Sequence, residues 1–217
     1  MACADTPKLS AARVRGVLLV DEIVGQSERW TAATRHRFLD LVREGAIDPA
    51  AFDRWLVQDA LFVSDLLWFQ GRLLARAPRA AQPALAGGAV AVVDELFWFE
   101  QQSALRGLNL ATRPLPVTRG YVALLRRLDT APYEVAVAAL WVLERVYLEA
   151  WTHAGSAGGL YQEFVEHWTT PQFAAYVAAL EALVTKESVP AVAAQIRSAC
   201  DEVLMHERLF WDAALTG

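Results

Sequence analysis

The chain has 217 residues, of which 55% are hydrophobic and 21% charged, and its net charge is −5. The apolar content excludes a disordered protein and predicts a sizeable core, while the lack of a Gly/Ser/Pro-rich linker favours a single domain over residues 1–217. Because the basic residues form no stripe and no apolar run approaches the ~18–20 residues of a membrane span, we expect neither a nucleic-acid-binding protein nor a membrane protein.

The N-terminal ten residues contain one lysine and no apolar run. We therefore expect no secretory signal, a cytoplasmic protein, and poor order over residues 1–9. The two cysteines, Cys3 and Cys200, lie far apart in the sequence and indicate neither a disulfide framework nor a zinc site.

Helix signals follow one another along the rest of the chain. Asp48-Pro49 and Thr170-Pro171 are each typical of a capping residue followed by a first-turn proline, and Gly107 stands where glycine commonly ends a helix. No segment alternates apolar and polar residues over the length of a strand, so we predict an all-α bundle. The predicted helices span residues 10–24, 27–44, 49–76, 86–106, 117–128, 132–153, 159–168, 171–184 and 189–214.

Three of the long predicted helices each carry one carboxylate on the apolar face. These are Asp59 in helix 49–76, Glu144 in helix 132–153 and Glu207 in helix 189–214. An ion pair with arginine, or the cap of a neighbouring helix, would account for any one of them. Burying three unpaired carboxylates is costly, and few arginines fall on these faces. Together the three acids predict a polar pocket between the helices.

The eight tryptophans indicate either a large aromatic core or a pocket that stacks on a flat ligand. We predict that Asp59, Glu144 and Glu207 line one enclosed cavity together with at least two Trp or Tyr rings. A flat ligand with hydrogen-bond donors on its edge would suit such a cavity.

Metal and nucleophile signals are weaker. Glu163 with His167, and Glu202 with His206, are i,i+4 pairs that could bind a metal, but a di-iron site in a bundle uses Glu-x-x-His motifs and the sequence has none. We therefore expect no metal and no cofactor, and place both histidines at the surface or behind the site. The orientation of Asp94 stays open, because its helix is apolar on most sides.

Four segments carry a resemblance to a known family. Phe52-x-x-Trp-Leu-x-Gln-Asp59 resembles the F-x-x-[YW]-[LV]-x-Q-D segment of the TenA family, which has the haem-oxygenase-like all-α fold. The segments around residues 30–45, 139–149 and 206–211 resemble three further blocks of that family. The likeness covers about residues 27–214 in the right order and spacing.

One departure points to a subclass. The best-known members carry P-C-x-x-x-Y on the helix of the third block, and aligning Tyr147 places Leu143 at the cysteine position, with Glu144 next to it. This pattern resembles the cysteine-lacking TenA-E subclass. Phe62 and Trp168 also stand where cysteine-containing members usually have tyrosine, which makes the pocket drier.

The resemblance implies an aminopyrimidine hydrolase related to thiaminase II, which salvages the thiamin pyrimidine by converting its aminomethyl and N-formylaminomethyl forms to the hydroxymethyl form. It implies that Asp59 binds the ring nitrogen or amino edge, and that Glu207 lies near the opposite ring nitrogen or the reacting carbon. Glu144 and Glu207 would share the proton transfers, with Asp59 as the third catalytic candidate. The expected substrate-binding side chains are Asp59, Phe62, Tyr147, Trp168 and Phe210.

The resemblance also implies a homodimer or homotetramer that acts on a small molecule without a cofactor. Two other functions remain open at this point. One is a non-catalytic protein of the same fold that binds a heterocycle. The other is a di-iron oxidase, which the missing Glu-x-x-His motifs disfavour.

Overall fold

The computed structural model describes residues 19–25, 27–155, 159–187 and 190–216. All regular structure in these ranges is helical, which confirms the predicted all-α fold. The segment 1–9, expected to be poorly ordered, and the first part of the helix predicted over 10–24 lie outside the described residues, and 19–24 are helical. The helices are α1 Ser27–Thr34, α2 Arg37–Arg43, α3 Pro49–Arg76, α4 Gln82–Arg106, α5 Pro116–Asp129, α6 Tyr133–Ala154, α7 Gln162–Trp168, α8 Pro171–Glu187 and, after a 3₁₀ turn at Pro190–Val192, α9 Ala193–Thr216.

The predicted helix starts and ends are mostly confirmed. Asp48 Oδ1 accepts a hydrogen bond of 2.9 Å from the Ala50 amide, and Thr170 Oγ1 accepts one of 3.2 Å from the Phe173 amide. Gly107 ends α4 in the left-handed conformation, with φ of 69°. These contacts satisfy backbone groups that have no partner inside a helix.

The prediction of one helix over 27–44 is wrong, because the chain breaks between α1 and α2. His36 is extended, with φ of −82° and ψ of 153°, and its Nδ1 accepts a hydrogen bond of 3.2 Å from the Phe38 amide. His36 therefore acts as the N-cap of a new helix. The apolar periodicity continues across the break, so it gives no sign of the change in direction.

The start of α4 was predicted four residues too late. The helix begins at Gln82 rather than at 86 and passes through Gly87 and Gly88 without interruption. A glycine pair inside a helix is unfavourable in isolation. Gly88 is buried against the ring of Tyr176 from α8, which explains why a residue without Cβ stands there.

Helix α6 runs through the middle of the bundle, in contact with α1, α2, α8 and α9. Every residue from Ala136 to Val142 is 0–1% exposed, so this part of the helix is enclosed on all sides. An uninterrupted apolar segment is what such a position requires. Glu144 follows two residues later and is still buried.

The tryptophans form both a core and a cavity wall. The ring centroids of Trp55 and Trp151 lie 5.1 Å apart, and those of Trp151 and Trp168 lie 4.5 Å apart. Trp211 stacks on Phe38 at 5.2 Å. The rings of this cluster come from α2, α3, α6, α7 and α9, and Trp55, Trp168 and Trp211 also line the predicted pocket. Within the described residues, no helix is both long and apolar enough to cross a membrane.

Candidate active site

A cavity of about 680 Å³ lies between α3, α4, α5, α6, α8 and α9, with α7 closing one side. Its volume falls in the range of small-molecule sites. All seven residues predicted for the site line it: Asp59, Phe62, Glu144, Tyr147, Trp168, Glu207 and Phe210. The three carboxylates on separate helices therefore do converge, and several Trp and Tyr rings surround them.

Each of the three acids is buried and meets an uncharged partner. Tyr147 donates a hydrogen bond of 2.7 Å to Asp59 Oδ2. Gln70 Nε2 donates one of 3.0 Å to Glu144 Oε1, and Tyr121 donates one of 2.5 Å to Glu207 Oε1. The exposed fractions of the three acids are 5%, 6% and 5%.

The described residues contain no ion pair that could explain these acids. Among the described residues, none of the three carboxylates forms a salt bridge, and no lysine or arginine lines the cavity. The lining instead contains two further acids, Asp94 and Glu95. Because an unpaired buried carboxylate destabilises a fold, the arrangement is better explained by a ligand than by stability.

Burial changes the protonation of the acids. Burial first, and then the charges of Glu95 and Glu207, raise the pKa of Glu144 to about 8. Burial raises the pKa of Glu207 to about 7, against the opposing effect of the Tyr121 hydroxyl. The pKa of Asp59 is raised well above its usual value by burial, although the hydrogen bond from Tyr147 acts in the other direction. Protons can therefore move to and from this site near neutral pH.

Aromatic rings form the walls around these acids. Phe62 stacks on Tyr121 with ring centroids 4.3 Å apart, and Phe210 lies 6.1 Å from Phe62. Tyr147 and Trp168, which also line the cavity, meet edge to face at 5.6 Å. Such walls suit a flat ring whose polar atoms lie on its edge.

Four residues that line or support the cavity were not predicted from the sequence: Gln70, Glu95, Tyr121 and Tyr176. Tyr121 could have been found, because it shares the apolar face of α5 with Leu124, Leu125 and Leu128. Glu95 could not be assigned to the inner face of α4, because that helix is apolar on most sides. It accepts a hydrogen bond of 2.6 Å from Trp168 Nε1 and thereby fixes that wall.

The two histidines support the site from its edges. His167 lines the cavity, with Nε2 2.8 Å from Glu95 Oε2 and its ring stacked on Trp98 at 3.9 Å. His206 stacks on Tyr121 at 5.0 Å, so it lies behind the ring that holds Glu207. Asp94, next to Glu95 on α4, lines the cavity from an exposed position. In the described part of the chain, no group of three or more His, Cys, Asp or Glu side chains could hold a metal ion.

The position next to Glu144 is also in the cavity. Leu143 is 4% exposed and lines the cavity, so a side chain at this position faces any bound ligand. Cys200 is buried in the core, where its Sγ lies 4.0 Å from the Ala138 carbonyl oxygen, and it does not line the cavity. Burial raises the pKa of the Cys200 thiol, which keeps it protonated and unreactive.

Comparison with known proteins shows the family and the fold of the chain. A model of the TENA/THI-4/PQQC family matches residues 26–217. A soybean (Glycine max) protein named "Probable bifunctional TENA-E protein" is 28% identical over 212 residues, which cover 87% of this chain and 93% of that protein.

Solved structures resemble 90% or more of the chain. A TenA homologue from Pyrococcus furiosus has a TM-score of 0.85 and 28% identity, with coverage of 90% of this chain and 99% of the other. A Shewanella denitrificans domain with a heme oxygenase-like fold has a TM-score of 0.67 and 13% identity, with coverage of 97% and 93%. These matches confirm the predicted haem-oxygenase-like bundle.

Proposed function

Because the chain belongs to the TENA/THI-4/PQQC family, we propose that it is a hydrolase that salvages the pyrimidine half of thiamin. Its substrate is aminomethyl-pyrimidine, together with the N-formyl derivative, and its product is hydroxymethyl-pyrimidine. The observation that carries this proposal is the convergence of three buried carboxylates, without a cationic partner among the described residues, on one aromatic cavity. The TENA-E name of the soybean relative supports the same subclass.

The cavity complements an aminopyrimidine on its faces and on its edge. The ring is flat and apolar on both faces, which suits the walls of Phe62, Tyr121 and Trp168. Its edge carries an amino group and ring nitrogens, which suit a carboxyl group such as that of Asp59. Tyr147 holds the Asp59 carboxyl in place through the hydrogen bond of 2.7 Å. The volume of about 680 Å³ leaves room for the formyl group of the larger substrate.

The surroundings of the two glutamates suggest how they divide the proton transfers. The hydrogen bond of 2.5 Å from Tyr121 favours the ionised form of Glu207, whereas burial and the charges of Glu95 and Glu207 favour the protonated form of Glu144. With a pKa of about 7, Glu207 is partly ionised near neutral pH and accepts a proton from water. With a pKa of about 8, Glu144 remains largely protonated and donates a proton to the leaving amine. An acid and a base with pKa values near the working pH are what general acid–base catalysis requires.

The proposed reaction balances with these two groups alone. The bond between the methylene carbon and the amino nitrogen breaks, and a bond between that carbon and the water oxygen forms. Water gives one proton to Glu207, and the amine takes one proton from Glu144 and leaves as ammonia. Exchange with solvent then returns a proton from Glu207 to Glu144. For the N-formyl substrate, hydrolysis of the amide as a first step releases formate and gives the free amine.

Release of ammonia from aminomethyl-pyrimidine by the purified protein tests the proposal. The proposal is supported if the wild type releases ammonia and the Glu144→Gln variant does not. Tight binding of the pyrimidine without ammonia release would replace it with the non-catalytic binding protein. Stoichiometric iron in the purified protein, with oxygen consumption, would instead favour the di-iron oxidase.

A further inference from the structure

Behind Glu144 lies a chain of hydrogen bonds that reaches across three helices. Gln70 on α3 donates from Nε2 to Glu144 Oε1 on α6, over 3.0 Å. Tyr176 on α8 donates in turn to Gln70 Oε1, over 3.4 Å. Gln70 is 0% exposed, so its amide depends on these protein groups for its partners.

The two partners fix the orientation of the Gln70 amide. Once Glu144 has given up its proton, both of its oxygens only accept hydrogen bonds, so the ionised form requires the amide NH₂ on its side. The Tyr176 hydroxyl then finds the amide oxygen on the other side and donates to it. Burial raises the pKa of Tyr176 above its usual value, so this hydroxyl keeps its proton. The reverse orientation of the amide would face the Glu144 carboxylate with a second acceptor.

A glycine makes this chain possible. A Cβ at Gly88 on α4 would lie 2.3 Å from both Cζ and Oη of Tyr176, far inside contact distance. The phenol tip therefore occupies the space that any other residue at position 88 would fill. Gly88 is unfavourable for the stability of the helix, but its missing Cβ leaves the space that this hydroxyl needs.

We propose that Gln70 and Tyr176 are positioning residues, which hold Glu144 Oε1 as an acceptor and so leave Oε2 as the oxygen that carries the exchangeable proton. Gly88 belongs to the same device because it admits the Tyr176 phenol. This inference rests on the proposed function, in which Glu144 donates a proton to the leaving amine. Beyond that function, the inference names Oε2 as the Glu144 oxygen that delivers the proton.

Several other titratable groups face Glu144 from the surrounding helices. They are Asp59 on α3, Glu95 on α4, Tyr121 on α5, Tyr176 on α8 and Glu207 on α9. Burial first, and then the charges of Glu95 and Glu207, favour the protonated form of Glu144. The bond from Gln70 favours the ionised form and so opposes them. Its loss should make Glu144 a weaker acid.

The pH dependence of kcat for ammonia release tests the inference in Gln70→Met, which keeps the length of the side chain and removes the amide. We expect kcat to fall about tenfold. We also expect the basic limb of the profile, set by Glu144, to move to higher pH by about one pH unit, with the acid limb unmoved. Tyr176→Phe and Gly88→Ala should move the same limb by a smaller amount, and they remain informative if Gln70→Met does not fold.

Gln58→Met is the matched control. Gln58 is a buried amide on the same helix, but its Oε1 accepts from the Leu115 amide and from Thr118 Oγ1. This variant should lower the Tm and leave both limbs in place. A basic limb that stays at its wild-type pH in Gln70→Met and in Tyr176→Phe would overturn the inference. Wild-type turnover in Glu144→Gln would instead overturn the role of Glu144 in the proposed function, so the two failures are distinguishable.

Discussion

The hydroxyl of Tyr121 and the carboxyl of Glu207 lie 2.5 Å apart, and both side chains are buried. A hydroxyl that donates to a carboxylate over such a short distance makes a strong, charge-assisted hydrogen bond. Burial, followed by the neighbouring charge of Glu207, raises the pKa of Tyr121 well above its usual value, so the phenol keeps its proton and acts as the donor. The pair therefore keeps part of the Glu207 population ionised in a cavity that otherwise favours the protonated acid.

Tyr121→Phe should weaken catalysis by removing this support. Without the hydroxyl the pKa of Glu207 rises, so the acid limb of the kcat–pH profile moves up by about one pH unit and the maximal rate falls about tenfold. Ammonia release measured across the pH range checks this. Tyr161→Phe, a change to a buried tyrosine outside the cavity, is the control. Equal profiles for Tyr121→Phe and the wild type would show that Tyr121 has no influence on Glu207.

Glu144→Gln should stabilise the protein at neutral and alkaline pH. The pKa of Glu144 is raised from 4.5 to about 8 on folding, so the folded state holds a proton that the unfolded state has released. The wild type therefore loses stability as the pH rises from about 4.5 through 8, and the glutamine variant does not. We expect the difference in Tm between the variant and the wild type to be near zero at acidic pH and to grow as the pH rises. Each kcal/mol of difference in the free energy of unfolding corresponds to about 2–4 °C.

A second substitution on α6 gives the opposite expectation for stability. Glu149 accepts hydrogen bonds from Trp30 Nε1 at 2.7 Å and from Arg145 Nε at 2.5 Å. Glu149→Gln should lower the Tm because it removes an ion pair. A fall in Tm for Glu144→Gln at alkaline pH would contradict the account of Glu144 as an unpaired buried acid.

Phosphorylated pyrimidines should be excluded from the site. Five acids line the cavity, no lysine or arginine of the described chain does, and His167 is already paired with Glu95. A phosphate would therefore be buried without a cationic partner, and any ionised acid of the lining would repel it. We expect the phosphate ester of hydroxymethyl-pyrimidine to bind at least about 100-fold more weakly than the free alcohol, as measured by calorimetry. Comparable affinities would mean that the charge of the lining does not select the ligand.

The protein should be a poor thiaminase, and one substitution should improve it. Displacement of the thiazole from thiamin is favoured by a thiolate, which is a far stronger nucleophile than a carboxylate. Leu143 faces the cavity and offers no nucleophile, and Cys200 is buried elsewhere. Leu143→Cys should raise the rate of thiamin hydrolysis about tenfold or more, whereas Cys200→Ala should leave that rate unchanged. Wild-type turnover of thiamin as fast as that of aminomethyl-pyrimidine would show that the missing cysteine does not set the substrate.

The sequence was sufficient to find the three acids, for a physical reason. Each of Asp59, Glu144 and Glu207 lies on the apolar face of a long helix, and helical periodicity alone places that face toward the interior. Their convergence then follows from packing three such faces against one another. The same argument would have found Tyr121, whose ring carries its polar atom on the apolar face of α5.

The supporting residues could not be predicted in this way. Whether Tyr176 reaches Gln70 depends on how far α8 is displaced along α3 and α4, and periodicity carries no information on that displacement. Gly88 lies inside the helix predicted over 86–106, and nothing in the sequence indicates that it is the point where α4 admits the Tyr176 ring. The break at His36 depends on a bond between a side chain and the backbone, within a segment whose apolar pattern is continuous.

The most direct measurement compares kcat for ammonia release from aminomethyl-pyrimidine in the wild type, Glu207→Gln and Asp59→Asn, with the Tm of each recorded alongside. Both substitutions keep the shape of the side chain and remove the group that exchanges protons. We predict a loss of ~10²-fold or more in kcat for Glu207→Gln, with a Tm equal to or above that of the wild type. Full activity in both Glu207→Gln and Asp59→Asn would contradict the catalytic role of the buried carboxylates.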